Sequence, residues 1–224
     1  MRAKIANREK MKKNIVVVGA GKGLGNAVAK RFGKSGFRVI LIARNVGNLN
    51  AYKEEFEKEG IETFIYSADC EKPQTLESAF KEIQDAFGVV DVLVYNARVR
   101  KDGFATAFSN DDFIKHYQTD VASALCCVKL VIQKQAQQRS GAILLSGGIF
   151  GDNPSKEHAG ISIGKAALKA LGKTLHDELR EKGIFVGLIT IAGHIQPNTQ
   201  HAPELIAEKY WEAYQKQDKY EVVY

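Results

Sequence analysis

The segment Asn14-Ile15-Val16-Val17-Val18 runs straight into Gly19-Ala20-Gly21-Lys22-Gly23-Leu24-Gly25, and this junction limits the fold more than any other stretch of the chain. A strand with one wet face alternates apolar and polar residues, whereas a continuous β-branched run suits a strand buried on both faces of a parallel sheet. After the glycines, Leu24, Val28 and Phe32 take up helical spacing, and Gly36 punctuates the end. A buried strand, a glycine loop and a helix in succession form the first half of a βαβ unit. Glycines permit the tight turn and let the backbone approach a diphosphate, which sits where the helix presents free N–H groups and the positive end of its dipole.

The alternation continues. Strands are predicted at Arg38–Ala43, Thr63–Ser67, Val89–Tyr95, Ala142–Ser146, Phe185–Ala192 and Tyr220–Tyr224. Between them helices are predicted at Asn48–Lys58, Pro73–Phe87, Asp112–Gln138, Ala159–Glu181 and Pro203–Tyr214. Pro73 suits a first turn, where its missing N–H costs nothing. Seven strands alternating with helices predict an α/β fold: a single doubly wound domain over 14–224, its parallel seven-stranded sheet covered by helices on both faces. Right-handed crossovers then place the ligand at the carboxyl ends of the strands.

The net charge of +6 does not mark a nucleic-acid surface. Residues 1–13 hold six basic residues against Glu9 alone, so the excess belongs to a basic N-terminal extension, with Met11 an alternative start. No aromatic platform accompanies it, no apolar signal core follows it, and no apolar run is long enough to span a membrane. Cys70, Cys126 and Cys127 form no C-x-x-C pair, which fits a reducing cytoplasm, and no metal-ligand spacing is present.

Gly19, Gly23 and Gly25 fit G-x-x-x-G-x-G, and with this spacing the chain resembles the short-chain dehydrogenase/reductase superfamily, a Rossmann-type fold. Asp69 matches the acidic residue that holds adenine in that family, Tyr95-Asn96-Ala97-Arg98 resembles its N-N-A-G, and Ala192-Gly193 its P-G turn. The resemblance implies a cofactor site lined by Gly19, Gly21, Lys22, Gly23, Leu24, Gly25, Arg44, Asp69, Cys70, Asn96, Ala97, Lys165, Gly193 and Ile195. It also implies a homodimer or homotetramer, paired through the two long helices. An acidic residue after the second strand would bind a ribose 2′-hydroxyl. Arg44 stands there instead, with Lys22 in the loop, and two cations suit the 2′-phosphate of NADP(H) in preference to NAD(H).

The chemical half of the resemblance is degenerate. Similar enzymes use Asn, Ser and Tyr-x-x-x-Lys; here the last segment is Ile161-Ser162-Ile163-Gly164-Lys165, which keeps Lys165 and loses the tyrosine. Gly148 takes the serine position, Asp120 the asparagine position, and Arg98 the glycine of N-A-G. Substitute catalytic residues are sought in Lys165, His194 and Ser146, with Ser146 expected on the same side of its strand as Gly148. His158 is a further candidate for the cleft, and Asp120 is expected to form a salt bridge with Lys165. Gly160-Ile161-Ser162-Ile163-Gly164 also matches a hydrolase nucleophile elbow, yet a polar loop with Pro154, not a strand, precedes it. Only 31 residues follow Gly193, too few for a large substrate lid, and Tyr210, Trp211 and Tyr214 there read as packing. Two functions stay open: an NADP(H)-dependent oxidoreductase of a small carbonyl or alcohol with an unconventional proton donor, and a catalytically inactive NADP(H)-binding sensor or regulatory module.

Overall fold

The computed structural model describes residues 12–224. Of the basic extension, residues 1–11 lie outside the described residues. Lys12 and Lys13 are bound to the body of the domain, Lys12 by an ion pair with Glu62 at 2.9 Å and Lys13 by donating to the Tyr214 hydroxyl at 2.9 Å.

Seven strands form one parallel sheet in the order β3-β2-β1-β4-β5-β6-β7: β1 Asn14–Val18, β2 Arg38–Ala43, β3 Thr63–Ser67, β4 Val92–Tyr95, β5 Gly141–Ser146, β6 Ile184–Thr190 and β7 Glu221–Val223. The apolar runs are two-faced, as their composition requires. Ile15 and Val17 join one core with α1 (Leu24–Lys34), α2 (Val46–Lys58) and α7 (Pro203–Lys216). Val16 and Val18 join the other with α3 (Pro73–Phe87), α5 (Ser123–Gln138) and α6 (Ala159–Leu179). Each such side chain is wholly buried and contributes about 1.5–3 kcal/mol.

The sheet order changes direction at β1, whose neighbours are β2 and β4, and the loops after β1 and β4 therefore diverge into a crevice at the carboxyl edge. Trp211 and Tyr214 pack on Phe32 and Phe37 with centroids 5.1–6.2 Å apart, and Tyr210 is fully buried, so the aromatic face of α7 is structural.

One long element differs from expectation. The helix predicted over Asp112–Gln138 starts earlier and is broken: α4 spans Asn110–Tyr117, a wide π-type turn covers Gln118–Ala122, and α5 follows. Ser109 and Asp112 form a reciprocal capping box that fixes the start. The break is tertiary in origin, because the Tyr95 hydroxyl donates to the Thr119 carbonyl and Asp120 Oδ1 accepts from the Val99 N–H at 2.9 Å. Strand β4 also begins later than expected. The Asn14 side-chain amide donates to the carbonyls of Phe87 and Val89, so the chain before Val92 serves as an anchor.

Candidate functional site

The phosphate loop is assembled from both strands that flank the crevice. Gly19 has φ +85°, and its N–H donates to the Ile42 carbonyl at 3.0 Å. Its missing side chain lets the loop lie flat on the chain after β4, since a Cβ would come within 2.7 Å of Ala97 Cα. Asn96 secures this contact: its N–H donates to the Val18 carbonyl at 2.8 Å and its Nδ2 to the Gly19 carbonyl at 3.0 Å. A Cβ on Gly25 would lie 2.7 Å from that same Gly19 oxygen. The spaces beside Gly21 and Gly23 are open, with no atom within 4 Å of a built Cβ.

Helix α1 starts at this opening without a side-chain cap and with no acidic residue in its first turn. Unpaired amides facing open space, on a loop whose positive φ at Gly19 and Gly23 favours glycine, are the donor set a diphosphate requires. The residues present therefore fit a dinucleotide. The Lys22 N–H is already taken, donating at 3.0 Å to the hydroxyl of Tyr52 from α2, a contact with no signature in the sequence.

Around this cradle the remaining candidates fall in order. Arg44 directly follows β2, with its side chain 71% exposed and its guanidinium 3.8 Å from Glu71, and Lys22 is exposed in the loop. Asp69 Oδ1 accepts from the Glu71 N–H at 3.1 Å, and the Asp69 N–H donates to Thr75 Oγ1, which shapes the turn after β3. Burial pushes the Cys70 thiol up to about 11, leaving it a neutral wall. Leu24 is buried under the loop.

At the other end of the crevice, Lys165 is 6% exposed, and its Nζ donates to the Ser146 carbonyl at 2.5 Å. Burial, opposed by the Asp120 carboxylate and reinforced by the Arg98 guanidinium, brings its ammonium down to about 8. Gly148 stands beside it, where a Cβ would rest 3.7 Å from Lys165 Cγ. Gly193 is covered by the ring of His201, with Nε2 2.7 Å from a built Cβ; His194 and Ile195 are exposed on the loop beyond it.

Several expectations are corrected. Ser146 shares the face of Ala142 and Leu144, toward α1 and α7, and its Oγ accepts from the Tyr210 hydroxyl at 2.6 Å. Strand β5 ends at Ser146, so the alternation that would align it with Gly148 stops there, and its hydroxyl is turned away from Lys165. Asp120 makes no salt bridge with Lys165 among the described residues. Its Oδ1 accepts from the Val99 N–H, and its Oδ2 lies 3.7 Å from His116 Nδ1. His158 pairs with Asp102 at 3.1 Å and leans on Phe150. The hydrolase-like Ser162 sits in the first turn of α6, donating to the His158 carbonyl, with no strand before it.

Sequence reasoning missed Tyr52, His116 and His201. None of the three lies in a motif, and their placement depends on contacts between elements distant in the chain.

Comparison with known proteins agrees with this architecture. The family model for short chain dehydrogenases matches residues 13–205. The 3-oxoacyl-[acyl-carrier-protein] reductase FabG of Staphylococcus epidermidis is 30% identical over 180 residues, covering 80% of this chain and 74% of that protein. The human 3-oxoacyl-[acyl-carrier-protein] reductase is 26% identical over 179 residues, with the same two shares. Among solved structures, a metagenomic short-chain oxidoreductase in complex with NADP superposes with a TM-score of 0.86 at 24% identity, covering 95% of this chain and 96% of its own. An actinorhodin polyketide ketoreductase variant with NADPH gives 0.79 at 24% identity, covering 93% and 77%. The chain belongs to the short-chain dehydrogenase/reductase superfamily.

Proposed function

We propose that this chain is an NADP(H)-dependent oxidoreductase acting on a small carbonyl or alcohol, with Lys165 as its proton-transferring group. The observation that carries the reading is the uncapped start of α1, open beside Gly21 and Gly23 and seated on Asn96 and Ala97. Arg44 and Lys22 are exposed at the adenosine end, which supports NADP(H) over NAD(H), and both structural neighbours carry that cofactor.

The cofactor, when bound, supplies or accepts the hydride at the substrate carbon. The protein's share is the proton. In reduction, the Lys165 ammonium gives one proton to the carbonyl oxygen and regains it from solvent; in oxidation the neutral amine takes it. A lysine held near 8 has both forms available close to neutrality, which suits a general acid–base. His194, exposed beyond Gly193, is the remaining candidate at the substrate mouth.

A second reading, a nucleotide-binding module without turnover, is favoured by Ile161 and Gly148, which present no hydroxyl where similar enzymes have two. One experiment separates the readings. Calorimetry with NADPH and NADH is followed by a panel of aldehydes and ketones monitored through NADPH absorbance. Tight NADPH binding with turnover lost in K165M supports the enzyme, binding without turnover supports the module, and no binding refutes both.

The apolar side chains of Phe113, Ile114, Tyr117 and Ile163 are exposed on α4 and α6, and they support a homo-oligomer built on these helices. Sedimentation as a monomer at micromolar concentration would refute it. Among the described residues the three cysteines are free, which fits a reducing compartment, and no helix is long and apolar enough to cross a membrane.

A further inference from the structure

The loop after β1 and the turn after β2 meet at one corner of the cradle. The N–H groups of Gly19 and Ala20 both donate to the Ile42 carbonyl, at 3.0 and 3.1 Å, so the loop leans on the end of β2 two residues before Arg44. Arg44 is itself held by its backbone, the carbonyl accepting from Ser67 Oγ at 3.2 Å. Asn45 then caps α2, its side chain accepting from the Asn48 N–H at 2.9 Å, and the helix carries Tyr52 back to the loop. There the Tyr52 hydroxyl accepts from the Lys22 N–H at 3.0 Å, at the surface of the molecule. The half-buried ring packs on the core that contains Leu49 and Phe56, which fixes how far the hydroxyl reaches.

A phenol oxygen that accepts from an amide still has its own proton to give. Among the described residues the Tyr52 proton has no acceptor, and the bond from Lys22 polarises it into a better donor. The corner is therefore furnished with donors: the Arg44 guanidinium, the exposed Lys22 ammonium and the Tyr52 O–H. The first turn of α2 carries no acidic residue. Of the carboxylates after β3, Asp69 accepts from the Glu71 N–H, and Glu71 stands 3.8 Å from the Arg44 guanidinium, beyond hydrogen-bond reach. Neither uses up a donor of this corner. A ribose 2′-hydroxyl asks for a donor and an acceptor, whereas a 2′-phosphate offers three acceptor oxygens and can take all three donors.

We propose that Tyr52 is a specificity-determining residue whose hydroxyl donates to the 2′-phosphate of the adenosine ribose. The inference rests on the NADP(H) reading and deepens it, adding a neutral donor from α2 to the two cations. With NAD(H) the same O–H stays with solvent, so its removal is felt only when the phosphate is present.

The test is calorimetry of the whole chain with four probes: NADPH, NADH, adenosine 2′,5′-bisphosphate and AMP. The last two differ by the same phosphate and carry no nicotinamide. Y52F keeps the ring and its packing and removes only the hydroxyl. It should weaken NADPH and adenosine 2′,5′-bisphosphate by about tenfold and leave NADH and AMP within about twofold. Because Y52F also frees the Lys22 N–H, it is measured again in a K22M background, where no ammonium remains to be misplaced, and the same loss of about tenfold is expected. Equal weakening of all four probes would make Tyr52 a loop anchor and overturn the proposal. So would an unchanged NADPH affinity, or a loss that vanishes in K22M. A parent that binds NADPH no better than NADH would remove the NADP(H) reading and this inference with it. A parent that prefers NADPH by a ratio Y52F leaves intact would remove this inference alone.

Discussion

Gly19 is the point at which the fold and the cofactor cradle are the same structure, and Gly19→Ala tests that identity. Its φ of +85° lies in the left-handed region, which costs an L-residue about 1–2 kcal/mol. The new Cβ would also come within 2.7 Å of Ala97 Cα, and this neighbour is backbone fixed by two hydrogen bonds of Asn96 to Val18 and Gly19. Overpacking against an immovable wall adds about 1–3 kcal/mol. The two effects together predict a loss of about 2–5 kcal/mol, or a Tm lowered by roughly 4–20 °C for a chain of this size. Gly21→Ala is the control, because its φ is not positive and a Cβ there meets nothing within 4 Å; its stability should stay within about 0.5 kcal/mol of the parent. Urea unfolding at one fixed protein concentration measures both, and NADPH fluorescence titration reports whether the surviving folded fraction of Gly19→Ala still binds. Equal midpoints for the two variants would refute the argument that β1 and β4 are locked together through this glycine.

Tyr210→Phe should cost about 1 kcal/mol by removing the buried hydroxyl that donates to Ser146, and the double variant with Ser146→Ala should recover part of that loss, as a denaturation cycle would show. Because Ser146 Oγ faces α7, Ser146→Ala should leave any turnover unchanged; a loss of more than tenfold in kcat would reinstate it as a proton donor. Arg44→Ala should reduce the NADPH-over-NADH preference by about tenfold, consistent with one solvent-exposed charged hydrogen bond, and an unaltered ratio by calorimetry would remove Arg44 from phosphate recognition. Lys165 has a folded-state value near 8, below its unfolded value near 10.5, so between these the unfolded chain binds more protons and this group's contribution to stability rises with pH. The gain is on the order of 3 kcal/mol, and it is read as the difference between the parent and K165M in unfolding free energy from pH 8 to 10.5; parallel curves would contradict a buried lysine.

What was legible in the sequence is what local pattern encodes. The run Asn14–Val18 gives a strand buried on both sides because no polar residue interrupts it, and the glycines that follow leave the chain few other conformations. The capping box Ser109–Asp112 is equally local but was not read, which is why the helix was expected from Asp112 and α4 starts at Asn110. By contrast, the break at Gln118–Ala122 leaves no proline or glycine in the sequence. It exists because Tyr95 and Val99, on another strand and its loop, hold Thr119 and Asp120 out of regular helix. The orientation of Ser146 was lost for a related reason. Period-2 alternation orders side chains only while the chain remains in a regular strand, and β5 ends at Ser146.

The segment Gly160-Ile161-Ser162-Ile163-Gly164 shows how a motif can be informative for the wrong reason. Its glycines match a nucleophile elbow that the polar loop before them already argues against; they lie in α6, with the Ser162 hydroxyl bonded back to the His158 carbonyl. What needs the glycines is the neighbouring element: His116 and Asp120 fill the volume that side chains at 160 and 164 would occupy. Gly164→Ala would therefore do more than improve helix propensity. Its methyl would displace the Asp120 carboxylate, which also holds Val99 and through it the loop after β4. The variant is expected to lose stability in spite of gaining about 1 kcal/mol of intrinsic helix preference, and combining it with Asp120→Ala, which vacates the space, should restore that gain. Thermal melts of the two variants decide it: a single Gly164→Ala more stable than the parent would mean that Asp120 does not need the space Gly164 leaves.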